Sequence, residues 1–226
     1  ASGSESSVHE ALRAEVMKAR GRVLITTFAS NAARLETIGR VAIETNRRVV
    51  VAGRSLDRIL RVAKATGYLF DEAMTLPKED VLIIATGGQG ESRAALARIA
   101  FGQHELKIGE GDTVIFSSKQ IPGNEMAIGR IMNALSDLGA ITVTERQAHI
   151  HVSGHPGRPE LAAMYRWIRP EILVPVHGEM RHMREQARFA IAEGVPAAFV
   201  QRNGDLLRLA PAGPEKISEE RVGRLV

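Results

Sequence analysis

The strongest constraint on this chain comes from four apolar stretches: "GRVLITTFA" (21–29), "RRVVVAG" (47–53), "DVLIIATGG" (80–88) and "DTVIFSS" (112–118). Each has a continuous branched-aliphatic centre. A strand of that composition has no face to offer water, so both faces of its sheet must be covered. Between the runs the period changes to that of a helix. In "SNAARLETIGRVAIETN", Ala33, Ile38, Val41 and Ala42 can share one face, with Ser30 or Asn31 as cap. "RSLDRILRVAKATGYL" repeats the pattern with Leu56, Ile59, Leu60 and Ala63, and Gly67 stands beyond its end. "ESRAALARIAFG" and "GNEMAIGRIMNALSDLGA" predict two more helices, and "AITVTE" a last strand. The expectation is an α/β fold: a mainly parallel sheet with helices on both faces. Ligands of such sheets bind beyond the strand C-termini. The loops there, "TTFASN", "VAGRS", "ATGGQGE" and "SSKQIPGNE", offer amides and hydroxyls to anions, as ordinary turns also do.

After residue 148 the texture changes. "HIHVSGH" is short and irregular, "RPELAAMYRWI" and "MRHMREQARFAIAEGV" read as helices, and "PEILVPVHGE" as a strand with a polar end. "PAAFVQRNGDLLRLA" predicts a hairpin turning at Asn203-Gly204, and residues 211–226 a linker or peripheral segment. The expected divisions are therefore 1–148, 149–210 and 211–226.

Composition excludes more than it selects. With 44% hydrophobic and 25% charged residues the chain has the make-up of a globular protein. No run of 18 apolar residues suggests a membrane span, and "ASGSESSVHEAL" lacks a signal-peptide pattern. The absence of cysteine excludes disulfides and thiolate ligands and fits a cytoplasmic protein. A metal would have to be held by His, Asp and Glu, which favours zinc, manganese or magnesium. The net charge of +4 suits either a solvated surface or a polyanionic partner. One tryptophan and two tyrosines leave little for base stacking.

Three of seven histidines fall within "HIHVSGH", and His177 and His182 follow in "LVPVHGEMRH". Imidazole is both a common metal ligand and a general acid or base near neutral pH. His149 and His151, two apart, would face one side of a strand. A turn at Ser153 and Gly154 would present amides and a hydroxyl to phosphate. His177 would stand at the end of the apolar strand, with Glu179 and His182 in reach as supporting groups. A lone histidine is more often a surface or core residue, and neither HxHxDH nor HExxH occurs in the chain. A water-activating zinc uses three protein ligands, so these histidines have too few companions.

"TTFASNAARL", "VVVAGRS", "ATGGQGESRAALARIA", "GDTVIFSSKQIPGNE", "HVSGH" and "ILVPVHGEMRH" occur in this order. Together, over residues 5 to 205, they resemble the β-CASP region and following segment of ribonuclease J, within the metallo-β-lactamase superfamily. The resemblance implies a β-CASP domain over 1–148 and the returning C-terminal part of a metallo-β-lactamase domain over 149–210. It implies part of a bacterial zinc-dependent ribonuclease, with 5′-to-3′ exonuclease and endonuclease activity in RNA processing and decay. His177 matches a zinc-ligating histidine, and His155 a catalytic histidine beside the scissile phosphate. His151, Ser153 and Gly154 match a stretch that holds RNA phosphates. Ser30, Asn31, Gln89, Gly90 and Glu91 match loops bordering an RNA channel. The partner implied is single-stranded RNA with a 5′-monophosphate end, and the complete enzyme would be a homo-oligomer with two zinc ions. Zinc lowers the pKa of bound water and so supplies a nucleophile at neutral pH. Most zinc ligands of that family belong to sequence not found here, so the expectation is a fragment inactive alone. The alternatives are a non-catalytic RNA-binding or assembly module, and a doubly wound small-molecule enzyme. The latter lacks support because "TGGQGES" does not reproduce GxGxxG.

Overall fold

A computed structural model of the chain describes residues 3–65 and 80–223, with the side chains of 60 and 63–65 outside the description. The predicted roles of Leu60, Ala63 and Gly67 therefore lie outside the described residues. The chain divides into two compact units between Gly154 and His155.

The first unit has the expected α/β architecture. Helix α1 (Ser6–Lys18) leads into β1 (Val23–Thr26), α2 (Ala32–Glu44), β2 (Arg48–Ala52), α3 (Arg54–Ala65), β3 (Val81–Ala85), α4 (Ala95–Ala100), β4 (Thr113–Phe116), α5 (Glu125–Asp137) and β5 (Ile141–Val143). The five strands form one sheet in the order β2-β3-β1-β4-β5, parallel at every pairing. Strands β1, β3 and β4 are buried at every residue. Alternate side chains serve opposite faces. Leu24, Ile83 and Val114 pack with Leu96 and Ile99 of α4 and Ile131 and Leu135 of α5. Val23, Ile25, Leu82 and Ile84 pack with Leu12 of α1 and Leu35, Ile38 and Val41 of α2. Two-sided burial is why these runs carry no polar alternation.

Three local expectations change. Helix α1 lies outside the elements predicted above, although Val8, Leu12 and Val16 recur every four residues and are fully buried. On α2 Ala33 is exposed, and the buried face runs through Arg34, Leu35, Thr37, Ile38, Val41 and Ala42. Asn31, not Ser30, caps the helix, its Oδ1 accepting from Arg34 N–H at 3.0 Å. On α3 Leu56 is buried as expected and Ile59 half-buried.

The second unit contains α6 (Arg158–Ile168), β6 (Ile172–Leu173), α7 (Met180–Ala192), β7 (Ala197–Ala198), β8 (Asp205–Arg208) and β9 (Glu215–Glu219). Tyr165, Ala190 and Val195 form its small apolar centre. The predicted hairpin about Asn203-Gly204 is replaced by another pairing. β7 pairs in parallel with β6, while β8 pairs antiparallel with β9. A turn does occur at Asn203-Gly204, with Gly204 left-handed and Asp205 Oδ2 accepting from Arg202 N–H at 2.7 Å. The turn leads into β8, whose ladder partner is β9. Lys216 of β9 closes that ribbon with an ion pair to Asp205 at 2.6 Å. No helix among the described residues is long and apolar enough to cross a membrane.

Candidate functional site

In the first unit the segment 149–154 is irregular backbone, not a strand, so His149 and His151 do not share a strand face. His149 is exposed, its Nε2 3.0 Å from Ser7 Oγ. His151 is half-buried, and its Nδ1 is buried without a partner. Burial first, and then the Arg34 guanidinium, lower its pKa from the ordinary 6.5, so the neutral imidazole prevails at pH 7. Ser153 and Gly154 are exposed. A Cβ at Gly154 would meet open space, so packing does not demand glycine there.

What holds this segment is Arg34, a residue with no exposed surface. Its Nη1 donates to the Ile150 carbonyl at 3.0 Å, between the two histidines, and to Ser117 O and Oγ at 3.0 and 2.6 Å. Nε and Nη2 grip the two carboxylate oxygens of Glu5. Ser117 Oγ also donates to Ile150 O at 2.7 Å. One guanidinium thus ties α1, α2, the end of β4 and the histidine segment together. The sequence clue was a charged residue at i, i+4, i+7 register with Ile38 and Val41, on a helix face that is otherwise apolar.

The loops beyond β1 and β3 divide by role. Ser30 is exposed, and Asn31 is half-buried as the α2 cap. Gln89 is only 6% exposed; Nε2 donates to Lys119 O at 2.8 Å and Oε1 accepts from Ile121 N–H at 2.9 Å. It braces the 119–124 loop from within. Gly90 has φ +83°, and a Cβ there would come within 2.6 Å of Ala127 Cβ and 2.8 Å of backbone atoms. Glu91 is exposed and accepts from Gln89 N–H at 3.0 Å.

In the second unit His155, His177 and His182 line one cleft of about 610 Å³, together with Arg158, Glu185 and Phe189. His177 is not at a strand end. β6 stops at Leu173, because Pro175 has no N–H to continue a ladder and its carbonyl is taken by Gln201 Nε2 at 2.7 Å. The chain then bends, and His177 adopts φ +59°, an uncommon conformation for a residue with a side chain. Such strain concentrates at functional positions. Glu179 pairs with Arg181 at 2.8 Å, not with His177, and precedes α7, which carries His182. Arg158 spans α6 and α7, bonding Glu185 at 2.7 Å and lying 5.6 Å from the Phe189 ring centre. Its role was not visible in the sequence. Among the described residues no three His, Asp or Glu side chains gather to hold a metal ion.

A sheet of this kind, followed by a histidine-lined cleft in a separate unit, defines a class that comparison with known proteins specifies. The chain belongs to the ribonuclease J β-CASP family: the model described as "Ribonuclease J, beta-CASP domain" matches residues 20–135. A second model, "Zn-dependent metallo-hydrolase RNA specificity domain", matches residues 141–198. Among curated proteins, Ribonuclease J of Sinorhizobium meliloti is 43% identical over 99% of this chain and 41% of its own length. Ribonuclease J of Corynebacterium glutamicum is 36% identical over 99% of this chain and 33% of its own. Ribonuclease J of Mycobacterium tuberculosis is 39% identical over 95% of this chain and 40% of its own. The chain thus spans between a third and two-fifths of the length of these relatives.

Proposed function

We propose that this chain is part of a zinc-dependent ribonuclease of RNA processing and decay, supplying RNA-binding surface, a catalytic histidine and one metal ligand. The observation that carries the reading is the cleft where His155, His177 and His182 meet, with His177 held in a left-handed backbone. In this reading His177 is the zinc ligand. The remaining ligands of two zinc ions come from sequence that the longer relatives possess and this chain does not span. His155 acts at the scissile phosphate. His151, Ser153 and Gly154 hold a neighbouring phosphate, and recognition mainly of backbone leaves sequence preference low. Ser30, Asn31, Gly90 and Glu91 border the path of single-stranded RNA, and Gln89 shapes that border from inside. Residues 1–148 correspond to the β-CASP domain and 149–210 to the returning part of the metallo-β-lactamase domain. A 5′-monophosphate preference, homo-oligomeric assembly and a cytoplasmic location complete the proposal for the whole protein.

The test is cleavage of a 5′-monophosphorylated single-stranded RNA. The 226-residue chain alone should bind RNA in a salt-dependent way and leave it intact. EDTA-sensitive cleavage by the rigorously purified chain would refute the division of ligands. RNA binding with no cleavage by the longer protein would instead favour a non-catalytic binding module.

A further inference from the structure

Arg34 is a charged side chain with no exposed surface, set on a helix face beside Leu35, Ile38 and Val41. Taking an ion out of water is costly, and apolar residues of similar volume in place of a buried ion pair are often as stable or more so. Packing alone would therefore accept leucine at this position. What leucine cannot do is donate hydrogen bonds, whereas the planar guanidinium holds its partners at fixed angles.

Those bonds converge on one point of the chain. The Ile150 carbonyl accepts from Arg34 Nη1 at 3.0 Å and from Ser117 Oγ at 2.7 Å. Ile150 N–H donates to Ala148 O at 2.8 Å, and the Ile150 side chain is fully buried. The segment 149–154 has no helix or ladder to fix it, so its buried polar groups need partners one by one. Both backbone groups and the side chain of Ile150 are thus fixed immediately before His151. Ser117 belongs to the frame of the sheet: it is 1% exposed, and its N–H donates to Thr26 O at 3.0 Å. The start of α1 closes the clasp. Glu5 takes Arg34 Nε and Nη2, Ser7 Oγ lies 3.0 Å from His149 Nε2, and a Cβ on Gly3 would come within 2.8 Å of Val152 Cγ1. Arg34 and Ser117 lie behind the segment, while Ser153 and Gly154 are exposed in front of them.

We propose that Arg34 and Ser117 are positioning residues: they fix the Ile150 carbonyl, and through it the turn at 151–154, in the geometry that receives an RNA phosphate. Neither touches substrate. The proposal rests on the reading of His151, Ser153 and Gly154 as phosphate-holding groups. A turn that is set before the ligand arrives spends less binding energy on ordering itself. If loosening the clasp leaves the receiving geometry populated about a fifth of the time, apparent affinity falls about fivefold.

Steady-state cleavage of a 5′-monophosphorylated single-stranded RNA by the longer protein tests it. The variants are Ser117→Ala, Arg34→Lys and His151→Gln, each first shown by dichroism and metal analysis to be folded with unchanged zinc content. Ser117→Ala removes one small hydroxyl and leaves the Arg34–Glu5 pair; Arg34→Lys keeps the charge but not the fork. Both should raise KM at least about fivefold while kcat changes less. A purely structural loss would do the reverse, lowering kcat with the folded fraction and leaving KM alone. Ser117→Ala combined with His151→Gln should raise KM by less than the product of the single effects, because both act on one turn. A KM raised by His151→Gln but unchanged by Ser117→Ala, or single effects that simply multiply, would overturn the proposal alone. An unaltered protein that cleaves nothing, or a KM unchanged by His151→Gln, would overturn the phosphate-holding reading and the proposal with it.

Discussion

Replacing Arg34 by methionine should be among the most damaging single changes in the first unit. Methionine fills similar space but removes five hydrogen bonds: two to Glu5, two to Ser117 and one to Ile150. Breaking a buried ion pair from one side costs about 3–5 kcal/mol, because the remaining charge is left uncompensated. Two features place this case at the lower end. The Glu5 side chain keeps 25% of its exposure, and Ser117 Oγ still satisfies the Ile150 carbonyl. The expected loss is about 3 kcal/mol. For a unit of this size about 1 kcal/mol moves the melting point by about 2–4 °C, so far-ultraviolet dichroism should show a fall of about 6–12 °C. Hydrogen exchange should quicken at Ile150 and His151, the residues that the guanidinium anchors. Adding Glu5→Leu should recover at least half of the loss, since the uncompensated charge is then gone. A single-variant loss below about 1 kcal/mol, or a double variant as unstable as the sum of its parts, would refute this account of Arg34.

Further outcomes can be checked separately. Stability of the first unit should fall as pH drops through 6.5, because the unfolded state protonates His151 before the folded state does; the loss should level off below the lowered native pKa. Urea titrations at pH 8 and pH 5 measure this, and in His151→Gln the part of the pH slope due to this residue should vanish. Gly90→Ala should cost about 3 kcal/mol, combining left-handed backbone strain with a clash against the first turn of α5, as read by thermal melting. In the longer protein His155→Ala should lower turnover without changing zinc content, as single-turnover cleavage and metal analysis would show.

The sheet was legible because its strands are buried on both faces, which makes each run apolar without alternation, as in "VLIIA" of β3. The helical register of α2 was legible for the same reason. Arg34 was not, since its partners lie 29, 83 and 116 residues away and no local pattern joins them. β9 escaped because most of it is exposed and polar, and Lys216 secures it through ion pairs to Asp205 and Glu219. At the candidate site, motifs offered His155 and His177 as candidates, and both line the cleft of the second unit. The bend that places His177 could not be read from motifs, because it depends on Pro175 ending β6 and on Gln201 holding the Pro175 carbonyl from 26 residues away. Gln89 shows the opposite failure: a polar residue in a glycine-rich loop that turns its amide inward as a brace.

The central claim, that His177 binds zinc within a larger ribonuclease, is tested most directly by metal analysis of the longer protein. Purified His177→Ala, still folded by dichroism, should hold less zinc per chain than the unaltered protein and should lose cleavage with it. His182→Ala, from the same cleft, should keep its zinc. Full zinc occupancy in His177→Ala would contradict the assignment.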